Sequence, residues 1–285
     1  MMKAKPFLSV IIPAYNEEAN LKRGVLEEVW AYLEAQKYQY ELILSDDEST
    51  DETLAALKEF AREHQGSKHG EIVVLANKHG GKAPTVTAGM LAARGEWRLF
   101  TDFDQSTPLS EVEKLLKYKN DDYGIIFGSR EISGAERQKE PWYRHFMGRG
   151  FNLITQILAV PGILDTQCGF KMFSEEATEA LFPQLYVYKA ENGKKDAFTG
   201  AFDVELFFLA RKIKIRYKEV AIIWKHNQTD RVAPVKDSWR MLMDILKIRL
   251  ADLNGKYQKV GKKNGSGKDG IGKSGARQRV GQKPK

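Results

Sequence analysis

FLSVIIPAYNEEANLKRGVLEEVW, residues 7–30, carries two periodicities in one stretch. Up to Pro13 it is apolar and rich in β-branched residues, the pattern of a short buried strand. A polar cluster, PAYNEE (13–18), follows. Beyond it an amphipathic helical pattern runs on through EEANLKRGVLEEVWAYLEA. Strand, polar turn and helix make one unit, and the unit recurs. YELILS (40–45) precedes DETLAALKEFAREH, and EIVVLA (71–76), EWRLFT (96–101) and YGIIFGS (123–129) are further strand-like runs. The alternation predicts an α/β fold with a central, mostly parallel sheet flanked by helices. Two helix starts are marked: Ser49 with Glu52 as a capping box, and Thr107 as an N-cap before Pro108.

In open sheets of this kind ligands bind outside the carboxyl ends of the strands. The polar clusters fall at those ends: PAYNEE after the first strand, SDDESTD after the second, NKHGGK after the third, TDFDQST after the fourth and GSR after the fifth. Each alone is ordinary turn chemistry. Five at one edge predict a site.

Composition narrows the class. With 285 residues, 42% hydrophobic and 29% charged, the chain has the material for one large globular domain with an appendage. No signal peptide is visible, and FNLITQILAVPGIL (151–164) is interrupted too often to span a bilayer. The single cysteine, Cys168, excludes an internal disulfide and suits a reducing compartment. These features predict a cytoplasmic protein. The net charge of +7 is uneven: residues 256–285 carry ten Lys or Arg and one acid, which leaves the body slightly acidic. The body is therefore not a basic, nucleic-acid-binding one. The Gly/Lys-rich tail is predicted to be disordered, with an anionic membrane or RNA as its possible contact. The predicted boundary puts the globular domain at 1–255 and the tail at 256–285.

After residue 140 the pattern changes. A basic, partly apolar helix is expected over about 142–159, either core or interfacial. The compact segment ILDTQCGFKMFS, a helix around SEEATEALF, a polar insert (KAENGKKD), a helix at FDVELFFLARK, the strand-like IRYKEVAIIW and a last helix in DSWRMLMDILKIRLADL follow.

The motifs carry different weights. Asp102-Phe103-Asp104 puts two carboxylates at a strand end, where a hard cation such as Mg²⁺ or Mn²⁺ could sit between them and a diphosphate. A lone D-x-D is more often a solvated turn than a site. Asp46 and Asp47 precede a helix cap and are candidates for hydrogen-bonding a base or ribose. NKHGGK supplies glycines for close backbone approach and Lys82 for a phosphate, but it lacks the spacing of a P-loop, and no G-x-G-x-x-G follows a strand. Asp203 and Glu205 are the visible base candidates in the second half, with a positioning role as the competing reading. Cys168 has no evident histidine partner and reads as a packed side chain; His79 and His226 read as loop residues.

Taken together and in order, VIIPAYNEE, Asp46-Asp47-Glu48-Ser49-Thr50-Asp51, Asn77 with Gly81-Lys82-Ala83, and Asp102-Phe103-Asp104 resemble the inverting glycosyltransferases of the GT-A fold, family 2. GSR (128–130), RGFN (149–152), DTQCGFKMF (165–173), AFDVELFFLA (201–210) and the Trp224–Lys236 segment resemble dolichyl-phosphate glucosyltransferases, with the mannosyltransferases as near neighbours. The likeness spans about residues 7 to 250. It implies transfer of glucose from UDP-glucose to a dolichyl or other polyprenyl phosphate by a peripheral protein at the cytosolic membrane face, with Mg²⁺ or Mn²⁺. GDP-mannose or UDP-GlcNAc as donor, a different acceptor, a nucleotidyltransferase, or a binding module led by the tail are the alternatives.

Carried over by position, the resemblance implies that Pro13, Ala14, Tyr15 and Glu17 line the nucleotide, with Asp47 on the base and Asp46, Asn77, Gly81, Lys82 and Phe103 also on the donor. Asp102 and Asp104 would hold metal and diphosphate, with Ser106 nearby. Arg130, Arg149, Gln167, Arg231 and Lys236 would bind phosphate or acceptor, and Asp203 would stand near the reaction. Two departures are visible. The usual D-D-G-S is D-D-E-S here, so Glu48 must fit a turn where glycine is common. The middle residue of D-x-D, commonly alanine, is Phe103.

Overall fold

The computed structural model describes residues 5–67, 69–138, 155–156, 158–188, 201–225 and 234–257, the side chains of 138 and 234–238 excepted. The five predicted strands form as β1 (Leu8–Ala14), β2 (Tyr40–Asp46), β3 (Gly70–Ala76), β4 (Trp97–Thr101) and β5 (Ile125–Ser129). The strand-like run 215–224 divides into β8 (Tyr217–Ala221) and β9 (Ile223–Lys225), while β7 (Phe170–Ser174) comes from FKMFS. A seven-stranded sheet has the order β3-β2-β1-β4-β7-β5-β8, and β6 (Glu136–Gln138) pairs with β9 beside it.

Every pairing in the large sheet is parallel except those of β7, which runs against both β4 and β5. That exception matters for function. A strand running the other way brings its beginning, not its end, to the edge where the parallel strands finish. The segment 165–169 that leads into β7 therefore meets the strand-end loops.

Alternation along the strands sorts side chains into two cores, one on each face. Leu8, Val10, Ile12, Leu42, Leu44, Leu99, Phe170 and Met172 pack on one face. The helices α2 (Val25–Glu34), α3 (Thr53–Glu63) and α5 (Val112–Leu116) contribute buried residues to it. Ile11, Ile43, Phe100, Ile125, Phe127 and Phe173 face the other side, with α4 (Lys82–Ala92), α6 (Glu175–Leu181), α7 (Phe202–Lys212) and α8 (Pro234–Leu253). A short α1 (Glu18–Lys22) precedes α2.

Both predicted caps differ in detail. The helix after β2 begins at Thr53, and the carboxylate of Asp51 accepts its amide at 2.9 Å; Ser49 Oγ instead accepts the amide of Asn16 at 3.0 Å. Asp51 is nearer the helix start, so it takes the capping role. The turn after Thr107-Pro108 is a short 3₁₀ segment, Leu109–Glu111, with extended backbone at Pro108. Tyr257, just after the predicted boundary, is fully buried and its hydroxyl donates to Glu205. The predicted tail beyond it, the polar insert and most of the expected helix at 142–159 lie outside the described residues. Among the described residues no helix is long and apolar enough to cross a membrane.

Candidate functional site

The site is assembled from the loops at the carboxyl edge. Glu48 and Gln105 adopt left-handed backbone, φ 60° and 48°, as does Asn16 at 53°. Non-glycine residues rarely do so, and such strain gathers where a loop must present groups in a fixed direction. At Glu48 the side chain offsets part of the cost by accepting the amide of His79 at 2.9 Å.

Asp47 is buried and organises the third loop. Its carboxylate accepts Gly80 N at 2.8 Å, Gly81 N at 2.9 Å and Thr85 Oγ1 at 2.8 Å, and it lies 3.0 Å from His79 Nδ1. Gly81, at φ 85°, turns its amide toward this carboxylate in a conformation that side chains disfavour. The His79 ring lies on that of Tyr15, 4.8 Å between centroids. Asp46 is also fully buried; one oxygen accepts the Ser49 amide at 3.1 Å and the other makes no hydrogen bond among the described residues. Asn77 donates to Ser45 Oγ and the Asp46 carbonyl, tying the ends of β2 and β3. Ala14 is buried in the core and Pro13 half-buried. Glu17 is buried, with its amide donating to Thr53 Oγ1 at 2.7 Å and its carboxylate accepting from Asn20.

The D-x-D turn divides as its alternation requires. Phe103 is buried among Leu109 and its neighbours in the core. Its ring is thus an anchor beneath the turn, so a donor contact by Phe103 would have to come from its backbone. With the ring inward, the carboxylates on either side stay at the surface of the site. Asp102 forms an ion pair with Lys82, at the start of α4. Asp104 accepts the Ser106 amide at 2.9 Å and the Ser106 hydroxyl at 2.8 Å. Burial and then the neighbouring charge of Asp102 push the Asp104 carboxyl above its ordinary range. Burial works against the Lys82 charge, yet Asp102, Asp203 and Asp104 hold that ammonium above its usual value.

A divalent cation fits this pair. Asp104, its carboxyl raised by burial and by the charge of Asp102 and backed by the Ser106 hydroxyl, forms with Asp102 a hard-oxygen donor set whose repulsion a dication relieves. Among the described residues no group of three or more His, Cys, Asp or Glu could hold a metal by itself.

The segment entering β7 supplies residues whose role the motif reading missed. Asp165 is buried and accepts Arg130 Nε at 2.8 Å, Arg130 Nη2 at 2.9 Å and Arg130 N at 2.9 Å. Burial opposes its charge, but Arg130 prevails and lowers the carboxyl to about 2. Trp224 stacks against the same guanidinium, 5.4 Å from its ring. Glu219 fixes the segment in turn by accepting the amides of Leu164 and Asp165 at 3.1 and 2.8 Å. Gln167 directs its amide to Thr166 Oγ1 at 3.4 Å. Gly169 lies so close to Asp102 that a Cβ there would stand 2.0 Å from Oδ2. Cys168 is buried and its thiol is pushed up to about 12 by burial, as a packed side chain should be.

Asp203 and Glu205 separate. Glu205 accepts the amides of Tyr186 and Val187 and the hydroxyl of Tyr257, which makes it a structural tether. Asp203, at the start of α7, lies 2.7 Å from the ammonium of fully buried Lys171. Burial raises the Asp203 carboxyl, while Lys171 and Lys82 pull the other way. A lysine in the apolar strand FKMF was the available signal for this pair, since a buried cation needs a partner. Arg149 and Arg231 lie outside the described residues, as does the side chain of Lys236.

Comparison with known proteins gives consistent likenesses. The family described as Glycosyl transferase family 2 matches residues 9–182. Dolichyl-phosphate beta-glucosyltransferase of Dictyostelium discoideum is 33% identical over 260 residues, 87% of this chain and 76% of that protein. Glucosyl-3-phosphoglycerate synthase from Mycobacterium tuberculosis, solved with UDP, superposes with a TM-score of 0.59 at 16% identity, over 86% of this chain and 81% of that one. Mannosyltransferase PcManGT from Pyrobaculum calidifontis, solved with GDP-Man and Mn²⁺, gives 0.50 at 18% identity, over 90% and 74%. At these identities the two structures speak for the fold alone.

Proposed function

The chain belongs to glycosyl transferase family 2, and from that premise we propose that it transfers glucose from UDP-glucose to a dolichyl or other polyprenyl phosphate, inverting the anomeric centre. The observation that carries this reading is the Lys82–Asp102 ion pair beside Asp104 at the end of β4. It sets a cation suited to a phosphate beside two carboxylates suited to a metal at the sheet edge. The acceptor is proposed from the name of a relative that this chain matches over 76% of that protein's length.

In this reading the uracil and ribose lie over Tyr15, His79 and the Asp46–Asp47 pair, and Lys82 binds the donor diphosphate. Mg²⁺ or Mn²⁺ held by Asp102 and Asp104 would stabilise charge on the departing nucleoside diphosphate. Arg130, fixed by Asp165, receives the acceptor phosphate. A phosphate monoester has a second pKa of about 6 and arrives largely as a dianion, so no side chain need remove a proton. That frees Asp203 for a positioning role, holding the buried Lys171. The acceptor is a lipid, so the protein works as a peripheral enzyme at the cytosolic membrane surface.

A panel of nucleotide sugars, each offered with a short polyprenyl phosphate with and without Mn²⁺ or Mg²⁺, tests the proposal. UDP-glucose should be the preferred donor, with turnover lost in Asp104→Ala. Absence of transfer from every nucleotide sugar, or an Asp104→Ala variant as active as wild type, refutes it.

A further inference from the structure

Lys82 stands where two roles meet. It opens α4 directly after Gly81, and its ammonium is paired with Asp102 Oδ1. The other oxygen of that carboxylate faces Gly169 so closely that a Cβ there would collide with it. Access to Asp102 is thus narrowed on one side by backbone and on another by Lys82. The neighbouring Asp104 is engaged as well, since its two oxygens accept the amide and the hydroxyl of Ser106 at 2.9 and 2.8 Å.

More than one carboxylate surrounds the ammonium. Burial opposes its charge, yet Asp102, Asp203 and Asp104 outweigh that cost. Asp203 in turn lies 2.7 Å from the ammonium of Lys171, fully buried on β7. Arg130 and Asp165, on the neighbouring segment, pair with each other. Three carboxylates therefore share two ammoniums in this cluster, which leaves it negative. A dication added alone would reverse the sign, and the negative charges of a diphosphate would restore it.

We infer that Lys82 competes with the metal for Asp102, so that a divalent cation binds well only together with the donor's diphosphate. The inference rests on the transferase reading, which gives Asp102 to the metal and Lys82 to the phosphates, and adds the coupling between them. An ammonium on Asp102 Oδ1 repels an arriving dication and must yield its place. A diphosphate offers that ammonium a new partner, because lysine carries its charge on a flexible stem that can turn from one anion to another. Asp203, fixed by Lys171, remains a second counter-charge for it throughout the exchange. The coupling is mutual by thermodynamic necessity: metal helps the diphosphate by the same factor with which the diphosphate helps the metal.

The test reads metal binding rather than turnover. Mn²⁺ is titrated into the full chain without nucleotide, and free Mn²⁺ is followed by electron paramagnetic resonance. Lys82→Gln should bind it at least about tenfold more tightly than wild type, since a competing positive charge has left a partly screened carboxylate. Lys82→Met serves the same purpose should the first variant fold poorly. Lys82→Arg keeps the charge and should stay within about threefold of wild type. Added Mn²⁺ should raise the affinity for UDP in wild type, and raise it less in Lys82→Gln. A folded Lys82→Gln that binds Mn²⁺ no tighter than wild type, or not at all, overturns the inference. So does Lys82→Arg if it tightens as much as the glutamine variant. Either result leaves the transferase reading standing as long as Asp104→Ala still abolishes Mn²⁺ binding in the presence of UDP. Mn²⁺ binding that Asp104→Ala leaves intact refutes the metal site, and both proposals with it.

Discussion

Replacing Gly169 by alanine should disable transfer while leaving the fold intact. The backbone at this position tolerates a side chain, but its surroundings do not. The new Cβ would stand 2.0 Å from Asp102 Oδ2 and 2.4 Å from its Cγ. Non-bonded carbon–oxygen contacts open at about 3.3 Å, so the carboxylate must retreat by roughly 1 Å. Asp102 is part-exposed, and it can swing outward without disturbing the core. Stability should therefore change by no more than about 0.5 kcal/mol. The swing breaks the Lys82 pairing and carries one of the two proposed metal ligands out of position. A misplacement of about 1 Å in a reacting geometry costs on the order of a hundredfold in rate, equivalent to about 2.7 kcal/mol in the barrier. The assay is the initial rate of glucose transfer from UDP-glucose to a short polyprenyl phosphate over a Mn²⁺ series, with a thermal melt in parallel. The loss should fall on kcat and on the metal requirement. A variant with wild-type turnover and metal response would refute the placement of Asp102 in the reaction. A large drop in melting temperature would refute the claim that the side chain yields rather than the backbone.

Three further outcomes follow from buried groups. Asp165 has a folded pKa of about 2 against an ordinary 3.8, so its pairing stabilises the fold above the ordinary value and is lost as pH falls through 3.8 toward about 2. The difference amounts to roughly 2 kcal/mol; denaturant titrations at stepped acidic pH should show that share missing from Asp165→Asn, and an unchanged acid slope would count against it. Cys168, buried with its thiol near 12, should resist alkylation in the native protein and react on unfolding; rapid native labelling would contradict its placement. Tyr257→Phe removes a donor from buried Glu205, whose other carboxylate oxygen has no hydrogen bond among the described residues, and should cost about 1–3 kcal/mol. A wild-type melt for that variant would show that the chain does not close there.

What could be read without coordinates was whatever local periodicity encodes. The five strands and their loops follow from alternation and turn residues, and the left-handed Glu48 follows from a residue standing where glycine is common. Contacts across the sheet were not legible. The sequence gives no spacing from which to see Asp165 clamp Arg130 across 35 residues, nor Gly169 make room for Asp102. Both depend on β7 being antiparallel, a property of topology rather than of its own five residues. The caps shifted for a smaller reason. Asp51 and Ser49 compete for the same helix end, and the amide of Asn16, brought over from the first loop, settles the competition by engaging Ser49.

The same topology explains why DTQCGFK reads as one motif although its residues do unlike things. Asp165 orients the cation proposed for the acceptor, and Gly169 admits the carboxylate proposed for the metal. Lys171 reaches back under the site to Asp203. Because β7 lies between β4 and β5, these residues stand between the half of the edge proposed for the donor and the half proposed for the acceptor. Moving the segment by a fraction of an ångström would shift both halves together. Phe103 does the equivalent on the donor side alone: its buried ring fixes the turn, and the two aspartates beside it can then face outward. A smaller residue there would suit the charges equally well but leave the turn less firmly seated. The aromatic side chain is thus an anchoring feature of this chain, and the metal role proposed here belongs to the carboxylates it holds in place.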